Sequence, residues 1–125
     1  MRQLNHKEEQ LMQTLWQLGR GFLKEIMAEL PPPKPPVTTV SSIVRKLEKE
    51  GFIAYESIGN SHRYYPAVEK ADYRAAALKH LLNNYFQDSA EELLSQAVEE
   101  AEVPYGELEK LLSKIKKQQD NNNTD

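Results

Sequence analysis

The feature that most constrains the fold is an amphipathic helical segment, residues 38–50, that leads directly into two strand-like segments. Its apolar residues recur at helical spacing, and they are Val40, Ile43, Val44 and Leu47. Such spacing gives one apolar stripe that faces a core and leaves the opposite face in solvent. Gly51 predicts the end of the helix, because glycine readily adopts the left-handed conformation that follows many helices. Residues 52–58 and 62–65 predict the two strands of a hairpin, joined by a turn at residues 59–61.

Two further helices are predicted before this segment. Asn5 and Glu8 have the spacing of a capping box, which predicts the start of the first helix, and Gly19 predicts its end. The second helix is predicted over residues 23–30, because the proline-rich residues 31–36 cannot continue it. We interpret those prolines as a rigid turn, since helical segments flank them closely. Helix, helix, turn, helix and hairpin is the element order of a winged helix-turn-helix domain.

The chain changes character near residue 70. Residues 1–70 hold ten Lys/Arg against eight Asp/Glu, a charge of +2, whereas residues 71–125 hold six against eleven, a charge of −5. The second part is rich in good helix formers and predicts three helices. We therefore expect a mainly α fold with a small β-wing: a winged helix-turn-helix domain over residues 1–70, a three-helix dimerisation region over residues 71–118, and a disordered polar tail over residues 119–125.

Apolar side chains of the three C-terminal helices are predicted to join two copies of the chain. Three short helices expose more apolar surface than they can cover by themselves, so mutual burial in a homodimer is expected. The predicted dimerisation residues are Leu78, Leu81, Leu82, Tyr85, Phe86, Leu93, Leu94, Val98, Leu108, Leu111, Leu112 and Ile115.

The composition argues against several kinds of function. The chain has no cysteine, which excludes disulfides, thiolate metal sites and cysteine nucleophiles. Its three histidines are far apart in the sequence, so no two of them have metal-ligand spacing, and there is no glycine-rich phosphate loop. The polar start and the lack of an apolar segment of about 18 residues predict neither a signal peptide nor membrane insertion. We expect a cytoplasmic protein that is not an enzyme and that has no cofactor and no metal.

The outward face of the helix over residues 38–50 carries side chains that suit DNA binding. Short hydroxyls lie toward its N-terminal end and cations follow, and both types reach phosphates and base edges from a helix in the major groove. Thr38 or Thr39 is the expected N-cap, and Arg63 adds a cation on the wing that can reach a phosphate or the minor groove. The predicted DNA-binding residues are Thr38, Thr39, Ser41, Ser42, Arg45, Lys46, Lys49 and Arg63.

A set of short motifs spans the first 68 residues. They are Leu4-x-x-x-Glu8, Leu15-Trp16, Thr38-Thr39-Val40, Lys46-Leu47-x-x-x-Gly51-Phe52-Ile53 and Tyr64-Tyr65-Pro66-Ala67-Val68. Together with the helical C-terminal part, they resemble the penicillinase repressor family of the BlaI/MecI/CopY type. The resemblance implies a homodimeric transcriptional repressor that binds inverted repeats in double-stranded operator DNA through the third helix and the wing. It implies groove-facing positions at Thr39, Ser42 and Lys46, and a wing contact at Arg63.

The chain departs from that family at positions that bear on recognition and release. Family members usually have Arg in place of Lys46 and Lys in place of Glu50, which implies a different operator preference. In antibiotic-responsive members a membrane-bound sensor metalloprotease triggers cleavage at an Asn-Phe bond, and the corresponding pair here is Gln96-Ala97. Copper-responsive members use C-terminal cysteines, which this chain lacks. The inducing signal is therefore open, with the sensor metalloprotease as one candidate partner.

Two alternative functions remain open from the sequence. A winged-helix module whose Thr/Ser helix face binds a protein partner would fit the net charge of −3 for the whole chain. A regulator that responds to a small molecule would need a ligand pocket, for which Tyr73, Tyr85 and Phe86 are the candidate lining residues. Salt-insensitive capture of a protein would favour the first, and thermal stabilisation by a ligand would favour the second.

Overall fold

The elements follow the predicted order, with one short strand added. A computed structural model describes the backbone of residues 1–122 and the side chains of these residues apart from 115 and 118–122. The elements are α1 (His6–Leu18), β1 (Gly21–Phe22), α2 (Leu23–Glu29), α3 (Val37–Lys49), β2 (Ile53–Ile58), β3 (Ser61–Pro66), α4 (Lys70–Tyr85), α5 (Ala90–Glu99) and α6 (Tyr105–Asn122). The predicted fold class, mainly α with a small β-wing, is confirmed.

The chain divides into two units, residues 1–77 and a second unit that begins at Leu78. The division thus falls later than the boundary near residue 70 that the composition predicts. The reason is that the first turns of α4 belong to the core of the first unit. Tyr73 is 6% exposed there, and its ring centroid lies 5.8 Å from that of Trp16.

The predicted apolar stripe of α3 forms part of the core of the first unit. Val40, Val44 and Leu47 are buried, and Ile43 packs against them. Their buried partners from the rest of the unit are Leu4, Leu11, Met12, Leu15, Ile26, Leu30, Phe52, Ile53 and Tyr73. α3 is therefore held by its inner face, which leaves its other faces for contacts with solvent or a ligand.

The corner between α3 and β2 is fixed by a Schellman motif. Gly51 has φ of 86°, and its N–H donates to the Glu48 carbonyl at 3.1 Å. The N–H of Phe52 donates to the Leu47 carbonyl at 2.8 Å, and both of these side chains are buried. This is the arrangement that a glycine after a helix makes possible, and the predicted helix end at Gly51 is confirmed.

The three strands form an antiparallel sheet in the order β1-β3-β2. Strand β1 pairs Gly21 with Tyr64 and Phe22 with Arg63. The sequence does not predict it, because two residues show no alternation of apolar and polar side chains. In the β2–β3 hairpin Tyr55 lies opposite Tyr64, and Glu56 lies opposite Arg63. Since successive residues alternate between faces, these two pairs lie on opposite faces of the wing.

The second unit contains the end of α4, together with α5 and α6. Ser89 caps α5, because its hydroxyl accepts from the N–H of Glu92 at 3.1 Å. Leu108 on α6 is buried, at 9% exposure. The backbone of α6 continues to Asn122, so residues 119–122 are helical where a disordered tail is predicted. Residues 123–125 of that predicted tail lie outside the described residues.

Candidate nucleic-acid interface

α3 begins earlier than the sequence predicts. Pro36 occupies the N-cap position, and the helix starts at Val37. The expected cap at Thr38 or Thr39 is therefore wrong: both threonines lie in the first turn. Pro36 has φ of −58° and ψ of 147°, the extended backbone of an N-cap residue, so the helix can begin at the next residue. Proline carries no side-chain acceptor, so no side chain caps the first turn of α3.

Four polar residues form one strip along α3, opposite its buried stripe. At 100° per residue, Thr38, Ser42, Arg45 and Lys49 fall within one arc of the helix surface, and all four are exposed. These four residues are the outer strip. The strip runs from hydroxyls near the N-terminus to cations near the C-terminus, and it contains no acidic residue. This is the order that the sequence predicts for a helix that reads a groove.

Two predicted residues lie beside the outer strip and are less exposed. Thr39 and Ser41 are half-buried, on opposite flanks of α3. Arg45 is tied to the Ser41 flank, since its Nη2 lies 3.3 Å from the Ser41 hydroxyl oxygen and its Nε lies 3.5 Å from the Ser41 carbonyl. The guanidinium of Arg45 therefore lies along the surface of α3, next to Ser41.

Lys46 lies on the flank of α3 that faces α1. Its Nζ is 3.4 Å from Oε2 of Glu8, whose side chain is only 2% exposed. The same carboxylate accepts two hydrogen bonds from Arg2, at 3.0 and 2.6 Å, and one from the N–H of Asn5 at 2.9 Å. Arg2 also pairs with Glu50, the C-cap of α3. Lys46 is therefore part of an ionic cluster, which its spacing on the helix does not reveal.

The electrostatics of this cluster favour a charged Glu8. The Arg2 guanidinium lowers the pKa of Glu8 to about 2, against an ordinary value of 4.5, although burial opposes the shift. The hydrogen bond from the Asn5 N–H and the nearby Lys46 ammonium lower the pKa further. Asn5 and Glu8 also form the predicted capping box of α1, which is confirmed.

The wing arginine forms an ion pair, although its side chain is still 36% exposed. Nε and Nη2 of Arg63 lie 2.7 and 2.6 Å from Oε1 of Glu56, and Nη1 of Arg20 lies 2.8 Å from the same oxygen. Arg63 and then Arg20 lower the pKa of the Glu56 carboxyl. Arg20 also stacks over the Tyr65 ring at 5.4 Å. The sequence missed Arg20, because it comes from the α1–β1 turn and meets the wing only in the fold.

The other face of the wing carries an aromatic cluster that the sequence also missed. The rings of Tyr55 and His62 stack at 4.0 Å, with Tyr64 edge-on to both. Burial raises the pKa of Tyr64, and so does the nearby Glu48 carboxylate, while Arg45 opposes the shift. This face of the wing is therefore the one beside α3. The sequence could have indicated this cluster only if the register of the two strands had been known.

The predicted dimerisation residues lie on all three helices of the C-terminal part and differ in exposure. Five are exposed, namely Leu78, Leu81, Tyr85, Leu111 and Leu112. Five are half-buried, namely Leu82, Phe86, Leu93, Leu94 and Val98, and Leu108 is buried. The side chain of Ile115 lies outside the described residues. Tyr105, which is not among the predicted residues, is 69% exposed and lines a groove together with Leu94, Leu108 and Leu112.

The residues suggested for a ligand pocket have different surroundings. Tyr73 is buried in the first unit, where its hydroxyl donates to Glu9 at 3.1 Å and accepts from the Leu4 N–H at 3.0 Å. Tyr85 belongs to the second unit and is 71% exposed. Within the part of the chain that the structure describes, no three His, Asp or Glu side chains are grouped as metal ligands. Across those same residues, no helix combines the length and apolar character needed to cross a membrane.

Comparisons with known proteins assign the family. The sequence profile of the penicillinase repressor family matches residues 4–117. The methicillin resistance regulatory protein MecI of Staphylococcus aureus (strain N315) is 22% identical over 116 residues, which cover 92% of this chain and 94% of that protein. MecI of Mammaliicoccus sciuri is 22% identical over 120 residues, with the same coverage of 92% and 94%. A solved structure described as "CopR Repressor Structure" is 26% identical, covers 54% of this chain and 100% of its own, and has a TM-score of 0.46.

The profile match covers most of the chain and includes both units. It confirms the resemblance that the short motifs indicate, since these motifs lie within the matched residues. The chain therefore belongs to the penicillinase repressor family, whose members are transcriptional repressors.

Proposed function

We propose that this protein is a cytoplasmic, homodimeric repressor that binds inverted-repeat operator DNA, with α3 in the major groove and the wing along the DNA backbone. The observation that carries the proposal is the outer strip of α3. Thr38 and Ser42 are short enough for the start of the helix to approach base edges, and Arg45 and Lys49 extend toward phosphates. An acidic residue within this strip would repel the backbone, and the strip has none.

The start of α3 provides a second support. Its first-turn N–H groups have no side-chain cap, and the positive end of the helix dipole lies there. A DNA phosphate is an anion that such a helix end can bind when the rest of the helix lies in the groove. The preceding prolines also hold this end at the surface, since residues 31–34 and 36 are exposed.

The two units have separate roles in this proposal. The first unit, residues 1–77, binds one half-site, and the second unit joins two copies through its exposed apolar residues. Such a dimer reads two half-sites whose separation follows the helical repeat of DNA, and it represses by occupying the promoter. Release by a membrane-bound sensor metalloprotease is one route to induction. Because Gln96 and Ala97 lie within α5, a cut there requires local opening of that helix.

The test is a gel-shift series with a duplex that the wild-type protein selects from a random-sequence pool. Ser42→Ala is expected to change which base is preferred at one position. Lys49→Ala is expected to weaken binding to every duplex and to reduce the slope of log K against log salt by about 1, because it removes one phosphate contact.

The matched control is Lys7→Ala, which removes the same charge from an exposed position on α1. We expect Lys7→Ala to leave both the affinity and the salt slope unchanged. The proposal is wrong if the wild-type protein shifts no duplex at low salt, or if Lys49→Ala and Lys7→Ala behave alike.

A further inference from the structure

In the ionic cluster between α1 and α3, Lys46 of α3 pairs with the buried carboxylate of Glu8. Oε2 of Glu8 lies 2.6 Å from Nη2 of Arg2 and 3.4 Å from Nζ of Lys46. The side chain of Glu8 is 2% exposed, whereas that of Lys46 is 55% exposed. The ammonium of Lys46 thus pairs with a buried group although its own side chain is largely exposed.

Arg2 satisfies Glu8 without help from Lys46. It donates to both carboxylate oxygens, and the Asn5 N–H supplies a third hydrogen bond. A buried carboxylate needs such partners, and one bidentate guanidinium with a backbone donor provides them. The contact with Lys46 is therefore additional to what the fold needs to keep Glu8 charged. The main consequence of this contact is that it fixes where the Lys46 ammonium lies.

We infer that Glu8 is a positioning residue for DNA recognition: it holds the Lys46 ammonium at the α1 edge of α3, so that this charge serves sequence discrimination rather than general phosphate binding. The inference rests on the proposed function. An ammonium has three donors on a flexible stem. The ion pair with Glu8 keeps the Lys46 ammonium beside the outer strip, so that it donates from one defined place and does not move to the nearest phosphate.

Glu8→Gln separates this role from a general loss of structure. Glutamine keeps an oxygen that can accept from the Asn5 N–H, so the capping box can persist, but it carries no charge to hold Lys46. The released cation is then available to any phosphate. We expect about threefold tighter binding to an unrelated duplex and a salt slope steeper by about 1, while the ratio of selected-duplex to unrelated-duplex affinity falls about tenfold. A damaged fold would lower both affinities together.

Glu69→Gln is the matched control. It makes the same change in net charge at an exposed position of the first unit, between β3 and α4 and outside the cluster of Arg2, Glu8 and Lys46. We expect the Glu69→Gln protein to keep the discrimination ratio of the wild type. A tenfold loss of discrimination in this control as well would overturn the inference, because the effect would then follow from charge alone.

Lys46→Gln provides a second variant that leaves Glu8 held by Arg2. Since Lys46 makes no general phosphate contact in this view, Lys46→Gln should lower discrimination about tenfold while the salt slope and the affinity for an unrelated duplex stay near wild type. Adding Glu8→Gln to this variant should then change discrimination no further.

The measurements are gel shifts over a salt series, with the duplex that the wild-type protein selects and with a scrambled version of it. If the wild-type protein prefers neither duplex, the proposed function fails. If it prefers the selected duplex, the inference is overturned in either of two cases: Glu8→Gln keeps the discrimination ratio, or Lys46→Gln reduces the salt slope as Lys49→Ala is expected to do.

Discussion

At the scale of single residues, Glu8 is a buried side chain that nevertheless carries a charge. Its side chain is almost fully buried, and a carboxylate in that environment stays ionised only when cations and N–H donors face it. Arg2 reaches it from the start of the chain, and Arg2 also lies over the Phe52 ring at 5.6 Å. One side chain of the N-terminal segment therefore contacts both the start of α1 and the region just after α3.

This arrangement predicts an acid-sensitive fold. Because the pKa of Glu8 is about 2 in the fold and ordinarily 4.5, the stabilisation is complete above about pH 4.5 and is lost as the pH falls toward 2. This difference between the two pKa values corresponds to on the order of 3 kcal/mol of unfolding free energy. We expect the difference in unfolding free energy between the wild type and Glu8→Gln to shrink by that order over this range.

The measurement is urea unfolding at a series of pH values, followed by the fluorescence of Trp16. Trp16 is the single tryptophan of the chain, and its Nε1 donates to the Val68 carbonyl at 2.9 Å, so it reports on the first unit. A difference between the two proteins that stays constant from pH 5 to about pH 2 would contradict the assigned role of Arg2 and Glu8.

What the sequence predicts at this scale depends on the distance between partners. The Asn5–Glu8 capping box was predictable, since both residues belong to one helical turn. The contacts of Glu8 with Lys46 and of Glu56 with Arg63 and Arg20 were not, because each depends on how separate elements pack or pair. Helical spacing indicates that Lys46 is on a polar face of α3. It does not indicate which neighbouring element that face meets.

At the scale of elements, the start of α4 is fixed to the first unit by one side chain. The hydroxyl of Tyr73 accepts from the buried N–H of Leu4 and donates to Glu9, and burial raises its pKa. These partners precede Tyr73 by 69 and 64 residues. No local pattern could therefore indicate that α4 begins inside the first unit.

Tyr73→Phe tests this attachment. The change keeps the ring but leaves the Leu4 N–H without its acceptor, so we expect the unfolding free energy of the first unit to fall by about 1–3 kcal/mol. Tyr85→Phe is the control, since it makes the same chemical change at an exposed position of the same helix, and it should stay within about 0.5 kcal/mol of wild type. Equal effects of the two substitutions in Trp16-monitored urea unfolding would exclude the attachment.

At the scale of the whole molecule, the net charge of −3 conceals two parts with opposite charge. Residues 1–70 carry +2, which gives only a weak electrostatic attraction to a polyanion. A single first unit would therefore bind DNA poorly. In the proposed dimer, the second contact becomes intramolecular, and linkage of this kind can strengthen binding by about 10²–10⁴.

If the affinity for DNA depends on joining two first units, a monomeric variant should bind DNA weakly. Leu111 is 50% exposed on α6, and Leu111→Asp would place a charge among the residues proposed to join two copies. We expect Leu111→Asp to be monomeric in sedimentation and to bind the selected duplex at least about a hundredfold more weakly, with an unchanged Trp16 emission spectrum. Ser113→Asp adds the same charge two residues along α6 and should remain dimeric with wild-type affinity. If Leu111→Asp is monomeric yet binds as tightly as the wild type, affinity does not depend on pairing, and the second unit must serve another purpose.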